Sequence, residues 1–171
     1  MLKLLQTFLD IALWRKGPQD LPASQFLVAL ALAMYVAASF IQVQLLGLQL
    51  RTVIVVVVVD AIMMILWPWA VLSFFRRSER FMQTLTAMLG VGVLLALADI
   101  GVRVLQIMMA GPEQKPYIAW LFIRFVALAL IQGRIFMHAL GQGLLTGMAL
   151  TVAIAYSGLA VAQLIVTRLQ G

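Results

Sequence analysis

The chain has 171 residues, of which 64% are hydrophobic and 11% are charged, and its formal net charge is +6. A soluble domain averages about 25% charged and about 45–50% apolar residues, and a chain this short cannot hide so much apolar surface in water. The composition therefore excludes an ordinary soluble domain and predicts an all-α polytopic membrane protein. The hydrophobicity comes in blocks and does not alternate, which argues against the strands of an outer-membrane barrel.

Several classes of site are also excluded by composition. Most basic residues flank apolar segments and do not cluster on a soluble face, so we expect no nucleic-acid partner. The absence of cysteine excludes disulfides, Cys-ligated zinc and iron–sulfur clusters. His138 is the only histidine, so we expect neither a metal site nor a cofactor. No catalytic motif occurs and the loops are short, so we do not expect an enzyme.

The N-terminal segment 2–16 has apolar residues on one helical side and polar residues on the other. It is too short to span a bilayer, so the pattern predicts an amphipathic helix lying on the cytoplasmic interface. Trp14, Arg15 and Lys16 are its candidate interfacial anchor, and the two cations are placed to touch anionic lipid. The segment could serve as a surface anchor alone or as a docking helix for a partner.

Five apolar segments follow, each long enough to span a bilayer. They are predicted at about 24–46, 52–75, 82–109, 116–138 and 144–168. The breaks between them are short, so we expect consecutive helices to pack as antiparallel neighbours in a single membrane domain covering residues 1–171. Pro68 lies inside the second segment and predicts a kink there.

The distribution of basic residues predicts the orientation. In the turns and near the ends of the spans, seven Lys and Arg residues lie on the side of the N-terminus and three on the other side. The positive-inside rule then places the N-terminus in the cytoplasm and the C-terminus in the periplasm of a bacterial inner membrane. Trp67, Trp69, Tyr117 and Trp120 lie near span ends and are typical of an aromatic interface belt.

Four charged residues interrupt the predicted spans, and we call them the charge cluster. They are Asp60, Asp99, Arg103 and Arg124. At about 1.5 Å rise per residue, three helices place them roughly 10–16 Å below the same membrane surface. Asp99 and Arg103 are four residues apart and are predicted to pair directly. Two hypotheses stay open: a buried ionic staple that fixes helix register, or a polar cavity that binds a solute or relays protons.

Small residues recur at four-residue spacing in the last span. They are Gly143, Gly147, Thr151 and Ala155. Such a stripe predicts a face where another helix approaches closely. Gly92 and Ala96 form a shorter stripe that leads toward Asp99. The stripes could pack within the chain, or they could contact a second copy or another membrane protein.

Five spans, a short amphipathic start and the tripeptide Ala155-Tyr156-Ser157 in the last span resemble the Yip1-type family of small helical membrane proteins. The stretch from Arg15 to Pro22 also resembles bacterial proteins of that general kind. The resemblance implies a five-helix bundle and a non-enzymatic role in binding partners.

Two functions remain as hypotheses. The first is a small inner-membrane scaffold or accessory subunit that binds membrane proteins or lipid through its helix faces. The second is a transporter or channel for a small solute or ion, with the charge cluster lining the path. The partner of the scaffold would be another membrane protein or a second copy of the chain.

Overall fold

The computed structural model describes residues 2–111 and 118–170, with side chains from Gln6 onward except 159, 162, 165, 166 and 168–170. These residues form helices and short turns, with no strand among them. The helices are α1 (Leu2–Ala12), α2 (Gln25–Gln44), α3 (Leu50–Phe74), α4 (Phe81–Ala110), α5 (Ile118–Leu140) and α6 (Leu144–Gln170). Two 3₁₀ turns, Pro18–Asp20 and Ser78–Arg80, precede α2 and α4. The predicted break after α4, residues 112–117 with Tyr117, lies outside the described residues.

Four helices in the described part of the chain are long and apolar enough to cross a membrane. They comprise Gln25–Gln44, Leu50–Phe74, Ser78–Ala110 and Ile118–Leu140. A further apolar stretch, Leu144–Gly158, opens α6. Long apolar helices of this kind are the mark of a membrane-embedded protein. α3 continues through Pro68, which is buried inside the helix.

The centre of the bundle is the first half of α4. Every residue from Thr84 to Val93 is buried, which is the pattern of a helix surrounded by protein on all sides. α1, α2, α3 and α5 all pack against α4. The half of the bundle around residues 84–93 is therefore tightly closed.

α2 packs more extensively on α4 than on its sequence neighbour α3. A Cβ added at Gly92 in α4 would lie 2.6 Å from the Tyr35 ring in α2. Seven residues further along both helices, the Gln42 amide reaches the Asp99 carboxylate. The two contacts follow in the same order along both helices and are seven residues, about two turns, apart in each. The helices α2 and α4 therefore run parallel. The Tyr35 ring therefore packs on Gly92, one of the two residues of the predicted shorter stripe.

α5 and α6 form a closely packed antiparallel hairpin. A Cβ on Gly147 would collide with the backbone carbonyl of Gly133, and Thr151 Oγ1 donates to Gly147 O at 3.0 Å. Gly147 and Thr151 of the predicted stripe therefore pack within the chain. Gly143 is exposed and precedes α6, and Ala155 is half-buried.

The N-terminal segment is helical only to Ala12. Phe8 and Ile11 are buried, and the Phe8 ring fills the space beside Gly90 of α4. Part of the apolar face of α1 is thus covered by the bundle itself. The 3₁₀ turn Pro18–Asp20 then packs against α4 and α5.

The contact between Tyr35 and Gly92 can be tested with Gly92→Ala. We expect the free energy of unfolding to fall by about 1–3 kcal/mol, because the added methyl overfills a packed site. Gly101→Ala on the same helix is the matched control, since nothing lies within 4 Å of its Cβ position. Denaturant unfolding in mixed micelles measures both. An equal effect of the two substitutions would contradict the close approach of α2 to α4.

Candidate functional site

Asp99 is the best-connected member of the charge cluster. Asp99 is 8% exposed. Its carboxylate accepts hydrogen bonds from Gln42 Nε2 and from Trp120 Nε1, each at 2.8 Å. Arg124 Nε lies 2.6 Å from Asp99 Oδ2. The partners come from α2 and α5, so one carboxylate of α4 joins three helices.

The partner of Asp99 differs from the predicted one. Among the described residues its ion pair is with Arg124, and the predicted pair with Arg103 is not formed. The pair with Arg124 is an electrostatic contact without a well-aligned N–H···O hydrogen bond. The aligned hydrogen bonds of Asp99 come from the neutral donors Gln42 and Trp120.

Arg103 lies one helical turn beyond Asp99 in α4, and its side chain contacts the C-terminal end of α2. Its Nε donates to the backbone carbonyl of Leu45 at 3.5 Å, and it makes further polar contacts. Leu45 is the C-cap of α2. A cation at that position is favoured by the partial negative charge of the last helical carbonyls.

Asp60 accepts a hydrogen bond from Tyr35 Oη at 2.6 Å. It shares one face of α3 with Val53, Val57 and Val71, because successive positions on this face are three, four or eleven residues apart. Those valines are buried, whereas Asp60 is exposed. Asp60 is thus an exposed residue on the face of α3 that carries its buried valines, and its carboxylate is bonded to the buried Tyr35.

Arg124 connects the two acids. It pairs with Asp99 and lies within electrostatic reach of both Asp60 and the Tyr35 hydroxyl. The side chain of Arg124 is 38% exposed, against 9% for that of Asp99. Of the two acids and Arg124, Asp99 is buried, whereas Asp60 is exposed and Arg124 is partly exposed.

Three residues of this layer were not among the predicted site residues. Tyr35 and Gln42 are neutral, and Trp120 was interpreted as an interface anchor. Trp120 has a further role that the sequence did not predict, because its indole N–H donates to Asp99. A signal was present in α2, where Tyr35 and Gln42 are seven residues apart on one face.

The opposite end of the bundle, which we call the basic end, collects polar residues from four elements. The Arg134 guanidinium stacks on the Trp14 ring at 4.9 Å, and its Nε donates to His138 Nε2 at 3.3 Å. Arg80 Nη1 donates to the His138 carbonyl at 2.8 Å, and Lys16 pairs with Asp10 at 2.9 Å. The predicted anchor residues Trp14 and Lys16 therefore contact protein groups, while Arg15 is exposed.

Within the residues that the structure describes, no group of three or more His, Asp and Glu side chains could hold a metal ion. Comparisons with family models, curated proteins and solved structures gave no match. The site must therefore be interpreted from its own chemistry.

A double-mutant cycle tests the pairing of Asp99 with Arg124. Asp99→Asn and Arg124→Gln should each lower the free energy of unfolding by about 1–3 kcal/mol, since each leaves a desolvated polar group without its partner. The double variant should lose less than the sum of the two, because the singles share one interaction. Asp99→Asn combined with Arg51→Gln is the control, and those effects should add. Additivity in both pairs would rule out the ion pair.

Proposed function

We propose that this chain is a five-span accessory or scaffold protein of a bacterial inner membrane that binds another membrane protein through the helix faces around its charge cluster. α6 has 27 residues, about 40 Å at 1.5 Å per residue, which exceeds the ~30 Å hydrocarbon core. The basic residues near Trp14 support a cytoplasmic N-terminus and a periplasmic C-terminus. α1 would then lie at the cytoplasmic interface. The Yip1-type resemblance agrees with this role.

The observation that carries the proposal is an exposed acidic residue, Asp60, inside a helix that is long and apolar enough to cross a membrane. It has one hydrogen bond among the described residues, from Tyr35, although a carboxylate can accept about four. At membrane depth a charge with unused acceptor capacity is costly and marks a binding site by default. A polar or cationic group from a partner helix would satisfy it.

The surroundings of the charge cluster favour a membrane partner. α5 exposes large apolar side chains at Leu121, Phe122 and Phe125, in the same half as Arg124. An apolar face that surrounds a few polar groups matches helix association in lipid, where packing supplies contact and interhelical hydrogen bonds supply specificity.

A transporter or channel is the second candidate, because Asp60 and Arg124 are charged residues within helices long and apolar enough to cross a membrane. Its path would have to cross the layer Thr84–Val93, where every residue of α4 is buried. That closed layer favours a surface that binds a partner group over a path that conducts a solute.

Asp60→Asn distinguishes the two functions. Native mass spectrometry of the gently extracted full chain should find a stoichiometric complex with wild type. The complex should weaken about tenfold or more with Asp60→Asn, as expected when a hydrogen bond to a charged group is lost. Asp60→Glu should retain it, and Ile62→Ala, on the exposed side of α3, is the matched control.

The outcomes separate clearly. A complex made only of this chain would identify the partner as a second copy. If wild type stays monomeric and shows solute flux in proteoliposomes that Asp60→Asn abolishes, the chain is a transporter and the proposal is wrong. Equal complex formation by wild type and Asp60→Asn would also contradict it.

A further inference from the structure

The turn that follows α1 forms an open groove on the surface of the basic end. The groove has a volume of about 610 Å³ and is lined by Gln6, Thr7, Leu9, Asp10, Leu13, Arg15 and Lys16. The groove lies at the opposite end of the bundle from the charge cluster, so the two are independent.

The walls of the groove combine apolar and cationic groups. Leu9 is 46% exposed and Leu13 is 61% exposed, although α1 already buries Phe8 and Ile11 against α4. Leu9 and Leu13 are therefore not needed for the bundle core. Exposed leucines beside basic residues are typical of a surface at the boundary between lipid head groups and acyl chains.

The backbone holds the cations of the groove in place. The amides of Arg15 and Lys16 both donate to Asp10 O, at 2.8 and 3.2 Å. Trp14 has a positive φ of 66°, which a tryptophan rarely adopts, and Arg134 stacks on its ring. This turn projects Arg15 and Lys16 from a fixed backbone.

Lys16 and Arg15 contribute differently to the net charge of the groove. Lys16 is paired with Asp10, so these two lining charges cancel. The Arg15 side chain has no ion pair or hydrogen bond among the described residues. Its guanidinium is the net positive charge of the groove, and guanidinium geometry suits two hydrogen bonds to a phosphate.

We propose that this groove binds the head group of an anionic glycerophospholipid. Arg15 binds the phosphate, and Leu9 and Leu13 contact the glycerol and the upper acyl chains. Trp14, 41% exposed, lies at the head-group level as tryptophans in membrane interfaces do. The exposed cations Arg76 and Arg77 at the same end add long-range attraction to an anionic surface.

Native mass spectrometry of the full chain, titrated with phosphatidylglycerol or phosphatidylcholine in detergent, tests the site. Wild type should retain phosphatidylglycerol preferentially. Arg15→Gln should weaken it about fivefold, as expected for ~1 kcal/mol per basic residue. Arg51→Gln, an exposed arginine at the other end, is the matched control and should change binding less than twofold.

Three results would overturn the assignment. Equal weakening by Arg15→Gln and Arg51→Gln would show attraction to total charge and no site. Equal retention of phosphatidylcholine would exclude selection of the anionic head group. Displacement by excess glycerol 3-phosphate would show an anion site that ignores the acyl chains, so a lipid would not be its ligand.

Discussion

A single carboxylate governs how the helices of this protein meet. Asp99 cannot remain charged at membrane depth without partners, and its partners come from two other helices: Gln42 from α2, with Trp120 and Arg124 from α5. Each of these side chains reaches Asp99 only if its helix has one particular rotation and height. The need to satisfy this carboxylate therefore fixes the register of α2, α4 and α5 in a region where apolar packing alone would tolerate sliding.

The two halves of the bundle have different packing. Around Thr84–Val93, α4 is buried on every side and small residues allow close contact, as Gly92 does for Tyr35. In the charge cluster, by contrast, Asp60 is exposed and the Arg124 side chain is partly exposed. Stability is thus concentrated in one half, which allows the other half to keep polar groups in a state that is costly in lipid but useful for binding.

The sequence predicted the helices well because their signals are local. The second and third spans, predicted at 52–75 and 82–109, correspond to Leu50–Phe74 and Phe81–Ala110. Apolar blocks and short polar breaks determine such bounds without knowledge of neighbours. The end of α1 was predicted four residues too late, because nothing in the amphipathic pattern indicated the left-handed conformation of Trp14.

The partners within the site were harder to predict. Spacing of four residues shows that Asp99 and Arg103 can reach each other, but it does not show which other helix brings a competing cation. Periodicity identifies the buried face of α2 and does not say that α4 covers it. Neutral residues such as Gln42 were not predicted as site residues, because only a charged residue stands out in an apolar span. An amide or indole N–H nevertheless donates to a carboxylate as well.

The parallel contact of α2 with α4 has a consequence for biosynthesis. The ribosome delivers α2 and α3 before α4 and α5 exist, so Asp60 leaves the tunnel without Asp99 or Arg124. Tyr35 has already been made, and its hydroxyl is the donor that Asp60 accepts in the finished bundle. The first hairpin thus already contains a hydrogen-bond donor for Asp60 before α4 and α5 are synthesised.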